Sequence, residues 1–465
     1  MTTTRKEYPP DEVLDDFVPK DVYYSQDFAE LEAERLWPFV WQIACRAEEL
    51  PHVGDYVTYD IVDDSIIVVR ASETEIRAYH NVCSHRGRRL TAACGHSKEF
   101  VCRFHGWRYD LHGKNTAVVD SQDWAGCLKS PDIDLRRVRC DIWGGFVFIN
   151  MDPKAETLLE FLEPVDEFCR NFEFEKLSFR WYKTAVMPAN WKTVLGFFNE
   201  FYHVQQAHKQ LLAFTDDYSQ SAGRGRHGSI WYSAEGAIPF KRSPRLAPRP
   251  EPSLKTHILN YAENFNRDLR AMVSERGYAA TQRLRTEVPD DADPHEVLSK
   301  WIGFQIEAAQ QDGAGWPAKL TPEYMKQSGL DWHVFPNTIF LHGTVDSVLW
   351  YRVRPNGRDP ESCLFDVWSL ERYGPGKAPK LNREFYDNWR DGDWGLIYEQ
   401  DFVNIPEVQK GFKSRGFRGE RTNPVQERAV SNFHRELRRF LLNPYDSPRI
   451  RPTRDPQGTP SDVEA

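Results

Sequence analysis

Two short stretches each carry a matched pair of metal-binding side chains. Cys83-x-His85 is followed, sixteen residues on, by Cys102-x-x-His105-Gly106-Trp107. Thiolate sulfur holds zinc, or iron with bridging sulfide, and a neutral imidazole serves either metal. A 2Fe–2S centre with two Cys on one iron and two His on the other needs this two-plus-two split. The alternative is a structural zinc site of the Cys2His2 kind. Zinc knuckles usually pair Cys with Cys and His with His, whereas each stretch here is mixed, so the iron–sulfur reading is preferred.

A second group lies about a hundred residues downstream. In Asn190-Trp-Lys-Thr-Val-Leu-Gly-Phe-Phe-Asn-Glu200-Phe-Tyr-His203-Val-Gln-Gln-Ala-His208 two His stand five residues apart. On one continuous helix they would point about 140° apart. A shared metal therefore requires the helix to end or distort between them. Two neutral imidazoles and one carboxylate on one side of a metal, with the other positions open, is the arrangement of non-haem Fe(II) oxygenases. Two ordinary helix histidines are the plainer alternative, which the upstream cluster motif makes the weaker one.

Together these motifs resemble the large subunit of Rieske non-haem iron ring-hydroxylating oxygenases. Cys83, His85, Cys102 and His105, down to the Gly-Trp after the last of them, look like that family's Rieske ligands. The later run is similar to its N-W-K … D/E-x-x-H-x-x-x-x-H motif, which implies that His203 and His208 hold iron. It also implies that Glu200 takes the place of the carboxylate, usually Asp, that bridges to a Rieske histidine. The third iron ligand should be a downstream carboxylate. Asp401 is the first candidate, because Glu399-Gln-Asp401 followed by Gln409-Lys-Gly411 resembles the family's acidic pair and Gln-x-Gly. Glu399 and Asp393 are its competitors. Two departures bear on the substrate: many members have Glu-Asn where this chain has Gly196-Phe197, and Glu at position 200 is more familiar from members acting on quaternary ammonium compounds.

These residues need two scaffolds. With 465 residues the chain exceeds one ordinary core, so two domains are expected. Short strands dominate from Phe39 to Ile149, and loops on a rigid β scaffold suit cluster ligands. An all-β Rieske domain is expected over 38–152, preceded by an arm and short helix over 1–37 that pack on the catalytic domain. The catalytic domain is expected over 153–445, with Asn190 as a helix N-cap. Its strand-like runs HVFPNTIFLHG, SVLWYRVRPNG and CLFDVWSLERY suit an antiparallel sheet with a helix laid across it. The fold class is thus α+β, a Rieske domain plus a helix-grip catalytic domain. A helical region is read from about 258 to 311, an amphipathic helix near the C-terminal end, and a disordered tail over 446–465.

Composition narrows the partners. A net charge of −9 gives no reason to expect nucleic acid or an anionic membrane, and no run of eighteen apolar residues occurs. The start, MTTTRKEYPPDEV, reads as neither a signal nor a transit peptide. Eight cysteines are too few for a disulfide framework, so Cys45, Cys94, Cys127, Cys140, Cys169 and Cys363 are expected reduced and buried, in a cytoplasmic protein. The string Gly223-x-Gly225-x-x-Gly228 lacks the strand-to-helix setting of a dinucleotide fingerprint and reads as a mobile loop. Electrons should therefore come from a separate reductase or ferredoxin.

The resemblance implies the terminal oxygenase of a multicomponent system, with a Rieske 2Fe–2S cluster, mononuclear Fe(II), O2 and a small-molecule substrate. An aromatic or polycyclic substrate, cis-dihydroxylated or hydroxylated, is the first expectation. Monooxygenation or demethylation, including that of a quaternary ammonium compound, is the alternative. A homotrimeric ring, with or without a small β subunit, is expected. An electron carrier with an inert second domain is the reading from another class, and His203, His208 and Asp401 argue against it.

Overall fold

The computed structural model describes residues 8–232, 240–329 and 331–443, so the expected disordered tail lies outside the described residues. Helix α1 (Gln26–Arg35), capped by Ser25, precedes the first sheet. That sheet comprises β1 (Gln42–Arg46), β2 (Asp55–Ile61), β3 (Asp64–Ser72), β4 (Glu75–His80), β5 (Cys94–His96), β9 (Arg137–Trp143) and β10 (Phe146–Asn150). Their order is β1-β10-β9-β4-β3-β2-β5, with a separate small sheet of β6 (Phe100–Val101), β7 (Arg108–Tyr109) and β8 (Asn115–Ala117). The apolar run Ile66-Ile67-Val68-Val69 of β3 is continuous because both faces of the sheet are covered. Ile66 and Val68 join the main core, whereas Ile67 and Val69 join a second core with Cys83, Cys102, Trp107 and Tyr109. The ligand loops thus stand on a small core of their own.

The second sheet holds β11 (Ser178–Met187), β12 (Ser219–Arg224), β13 (His227–Tyr232), β14 (Asp331–Val334), β15 (Thr338–Thr344), β16 (Ser347–Asn356), β17 (Asp359–Glu371) and β18 (Arg383–Tyr386). Its order is β12-β13-β14-β15-β16-β17-β11-β18, antiparallel throughout except that β18 runs parallel to β11. The expected antiparallel sheet therefore carries one parallel edge strand. Successive side chains alternate between its faces. Trp350 and Arg352 face the cluster domain, where Phe146 lies 4.0 Å from the Trp350 ring and the Arg352 guanidinium donates to the Ile43 and Ala44 carbonyls. Asp366 neutralises that guanidinium at 2.8 Å. The charges of Arg352 and Arg354 outweigh its burial and bring its carboxyl to about 2.

The opposite face, which includes Tyr351, Val353 and Phe365, is covered by helices. These are α2 (Trp191–Phe198), the one-turn α3 (Val204–Ala207), α4 (Leu254–Asn264), α5 (Glu275–Gln282), α6 (Pro294–Asp312), α7 (Leu396–Phe402), α8 (Ile405–Phe412) and α9 (Arg428–Leu442). Phe198 packs on Tyr351 at 4.7 Å and Phe365 at 5.0 Å, and Phe433 of α9 reaches His333 at 5.1 Å. The N-terminal arm pairs Val18–Pro19 with Gly419–Glu420, and Lys192 at the start of α2 meets Glu32 of α1 at 2.7 Å, both buried.

Three readings of the sequence are corrected. Gly223 to Gly228 form the turn and flanks of the β12–β13 hairpin, not a loop, with Gly225 at φ +63°. A Cβ on Gly223 would come within 2.4 Å of Asn432, which is itself pinned by bonds to the Gly225 and His227 carbonyls. Close packing of α9 therefore accounts for that glycine. Cys94 and Cys127 are exposed and Cys140 is half-buried, because Cys94 sits on the edge strand β5 and Cys127 outside any strand or helix. The expected run HVFPNTIFLHG is broken into β14 and β15 by the turn at Pro336.

Candidate functional site

The two cluster loops have one construction. In each, the Cys carbonyl accepts from a glycine N–H that closes the turn: Gly87 to Cys83 at 3.0 Å, and Gly106 to Cys102 at 2.9 Å. Both glycines lie at φ above +70°, the left-handed region open to glycine. His85 and His105 pack edge to face at 4.6 Å, and Trp107 stacks on His85 at 5.0 Å. The Nδ1 atoms of both histidines are buried without a hydrogen-bond partner. Two orphaned imidazole nitrogens beside two buried sulfurs fit a 2Fe–2S centre bound through Nδ1. Burial raises the Cys83 thiol. Burial opposes ionisation of Cys102 too, but N–H groups of Phe104 and His105 outweigh it and its thiol is lowered. Tyr109, pushed up to about 12 by burial and by Cys83, stays protonated and reaches the Cys83 sulfur at 3.3 Å.

The second site is built where α2 stops. Asn190 caps that helix through the Lys192 N–H, and Gln409 of α8 accepts from the Asn190 N–H at 3.1 Å and the Thr193 hydroxyl at 2.7 Å. The helix ends at Asn199, and a single turn, α3, follows. His203 and His208 flank that turn, with His208 out of helical conformation at φ −120°, ψ 49°. This break resolves the 140° problem, and the rings meet at 5.2 Å.

Asp401, on α7, completes the group. Its Oδ1 lies 3.1 Å from His208 Nε2 and 3.6 Å from His203 Nε2, and the three ligand atoms lie within 4.8 Å of one another. That oxygen is buried with no hydrogen-bond donor. Both far nitrogens are occupied: Glu200 accepts from His203 Nδ1 and from the His203 backbone N–H at 3.1 Å, and Gln400 Oε1 accepts from His208 Nδ1 at 2.8 Å. Each imidazole thus turns its Nε2 toward the carboxylate, as a facial two-His-one-carboxylate metal site requires. Burial works against protonation of His203, but Glu200 and Asp401 outweigh it and raise the ring to about 9. Of the competing carboxylates, Glu399 is exposed and Asp393 pairs with Arg270 at 2.5 Å. Neither joins the group. Glu200 stands beside its own chain's His203. Gln400 carries no motif of its own, and its adjacency to Asp401 was the only signal available.

A Cys2His2 loop pair on a β scaffold, together with a two-His-one-carboxylate group under helices on a sheet, defines the class of Rieske non-haem iron oxygenases. Residues 40–126 match the Rieske [2Fe-2S] domain, and residues 174–443 match the ring hydroxylating alpha subunit (catalytic domain). The chain belongs to that ring-hydroxylating alpha subunit family, whose cofactors are a Rieske cluster and a mononuclear iron. The carnitine monooxygenase oxygenase subunit of Escherichia coli (strain K12) is 35% identical over 196 residues, 41% of this chain and 52% of that protein. The glycine betaine monooxygenase oxygenase subunit of Chromohalobacter salexigens is 31% identical over 208 residues, 44% of this chain and 46% of that protein. The chain thus spans about half the length of the curated relatives it matches. A quaternary ammonium Rieske monooxygenase solved with L-carnitine has a TM-score of 0.60 at 18% identity, over 94% of this chain and 99% of its own. Naphthalene 1,2-dioxygenase from Rhodococcus sp. bound to indole has a TM-score of 0.60 at 20% identity, over 92% and 94%. Among the described residues no helix is long and apolar enough to cross a membrane.

Proposed function

We propose that the chain is the terminal oxygenase component of a multicomponent Rieske system and monooxygenates a small quaternary ammonium compound. The observation that carries the oxygenase reading is the convergence of His203, His208 and Asp401 within 4.8 Å. When bound, the cluster supplies a one-electron carrier and the iron a centre at which O2 is reduced against substrate. The donor set supports the ligand roles: Cys83, His85, Cys102 and His105 would hold the cluster, and His203, His208 and Asp401 the iron. Glu200 and Gln400 hold the proton on each imidazole Nδ1 and so keep Nε2 free for metal. The buried face of the sheet excludes water around them. One oxygen atom enters a C–H bond and the other leaves as water, consuming two electrons and two protons. The electrons come from a partner reductase or ferredoxin.

Glu200 and the relatives named for carnitine and glycine betaine support the quaternary ammonium class over the aromatic one. The likeness to naphthalene dioxygenase at 20% identity bears on fold alone. The test combines metal analysis with turnover. The purified chain should hold one iron beyond the two of its cluster, and Asp401→Ala should lose that one while keeping the cluster's visible spectrum. With a surrogate reductase, mass spectrometry across quaternary ammonium and aromatic compounds should find one added oxygen in the former. Absence of the extra iron refutes the oxygenase reading, and turnover of aromatics alone restores the dihydroxylation reading.

A further inference from the structure

Outside the mononuclear site, most buried carboxylates of the catalytic domain are matched by cations among the described residues, and Asp331 is not. Asp366 meets Arg352, Asp346 meets Arg276 at 2.8 Å, and Asp217 meets Arg245 at 2.6 Å. Asp331, only 3% exposed, forms no ion pair among the described residues, and the one hydrogen bond to its carboxylate there is from the His342 backbone N–H at 3.2 Å. Burial raises its carboxyl well above the usual range. A carboxylate taken out of water is ordinarily paired. Among the described residues no cation balances it.

The register says what surrounds it. Asp331 of β14 lies opposite Ile230 of β13 and Leu341 of β15, and Tyr351 lies opposite Ile339. Positions two apart share a face, so Asp331, Tyr232 and Tyr351 project from the same side of the sheet. It is the side that Phe198 of α2 and Tyr398 of α7 cover, the helices that lead into His203 and carry Asp401. Phe201, next to Glu200, stacks on Tyr232 at 5.7 Å with planes 4° apart. Tyr261 of α4 lies near enough to feel the Asp331 carboxyl: burial raises the phenols of Tyr232, Tyr261 and Tyr351, and Asp331 adds to each. Tyr351 also feels Asp401. Aromatic faces and one bare carboxylate offer charge but few acceptors. A primary ammonium has three N–H donors to satisfy. A quaternary ammonium has none, and its methyl groups pack on aromatic faces with cation–π attraction.

We infer that Asp331, with Tyr232, Tyr261 and Tyr351, forms the subsite that receives the quaternary ammonium head group of the substrate beside the mononuclear site. This rests on the oxygenase reading above. Asp331 supplies the counter-charge and the tyrosines the shape. Specificity then follows from charge: an uncharged isostere fills the same volume and leaves the carboxylate unpaired.

The experiment is calorimetric titration of the full chain, loaded with cluster and iron, using choline and its neutral isostere 3,3-dimethyl-1-butanol. Choline should bind the native protein about tenfold or more tighter than the isostere, and Asp331→Asn should abolish that preference by weakening choline alone. Tyr232→Leu, a variant that keeps the charge, should weaken choline severalfold as well. Asp331→Asn is nearly isosteric and removes only the group that can carry the counter-charge, and its visible spectrum and iron content report an intact fold. Should it lose either, Tyr232→Leu decides in its place. Equal affinities for choline and isostere in the native protein, no binding of choline, a preference that survives Asp331→Asn, or, where Tyr232→Leu decides, an unchanged choline affinity would each overturn the subsite. Oxygen consumption after chemical reduction, read on the same preparation, keeps the two readings apart. With iron and oxygen uptake intact, only the subsite falls; without them, the oxygenase reading falls.

Discussion

Replacing Gln400 by Leu should loosen the mononuclear iron without touching the cluster. The Gln400 oxygen accepts from His208 Nδ1 at 2.8 Å and from Gln210 Nε2 at 2.8 Å, and its amide returns a bond to Gln210 at 3.3 Å. His208 is 3% exposed, so a lost acceptor leaves its N–H unpaired and out of reach of water. An orphaned buried donor costs about 1–3 kcal/mol. Loss of a partner of this kind weakens metal binding by roughly 10–100-fold, or about 1.4–2.7 kcal/mol, which agrees with that cost. Competition with a chromogenic chelator measures the affinity, and the cluster's visible absorbance in the same sample should stay unchanged. Gln400→Glu keeps an acceptor and should bind iron at least as tightly as the native chain. Native-like affinity in Gln400→Leu, or equal losses in Leu and Glu, would refute the argument that this oxygen orients the ring.

Other expectations follow from the same contacts. Cys102→Ser should lose the visible spectrum and the Rieske electron paramagnetic resonance signal, because one of four protein ligands is gone. Asp366→Asn should destabilise by about 3–5 kcal/mol at pH 7 in chemical denaturation, since it strands the buried Arg352. The native carboxyl lies near 2, below its unfolded value of about 3.9, so its stabilising effect holds above pH 4 and is lost as pH falls toward 2. The melting temperature of Asp366→Asn should consequently fall less over that interval, and an equal fall would contradict the pairing. Mixed assemblies of Cys102→Ser and His208→Ala chains should regain partial activity if the cooperating centres lie in neighbouring chains of a ring. The sheet supports this, because the cluster domain packs on the face carrying Trp350 and the iron group lies on the other. Mixed rings seen by native mass spectrometry that remain inactive would place electron transfer within one chain.

Legibility in the sequence followed how local each feature is. Cys83, His85, Cys102 and His105 lie within two tight turns, so their spacing alone carries the chemistry. The pairing of His203 with His208 was legible too, and even the required break in the helix could be foreseen from the five-residue interval, whereas Glu200 entered only through the resemblance. Asp401 needed the resemblance, because nothing local separates it from Glu399 two residues earlier. What distinguishes them is which side of α7 meets the site, a tertiary matter. Asp331 was invisible for a stronger reason. One polar residue at the start of an apolar run reads as a strand end, and its meaning appears only when Tyr232, Tyr261 and Tyr351 arrive from three other elements. The hairpin at 219–232 was missed because its Gly, Arg and Ser residues are poor strand formers, made tolerable by helix α9 above them.

The separate core under the cluster loops sets an order of assembly. Ten buried residues form it, and two of them are Cys83 and Cys102, the proposed cluster ligands. The main core runs on without a break from β1 and β10 into the larger sheet. A lobe so small, held largely through its own metal ligands, opens at lower free energy than the body it stands on. Maturation should then be sequential, with the body folding first and the lobe sealing over iron and sulfide delivered afterwards. A chain starved of sulfide should accumulate as a colourless, folded protein with an exchange-labile tip, ready to be completed without refolding.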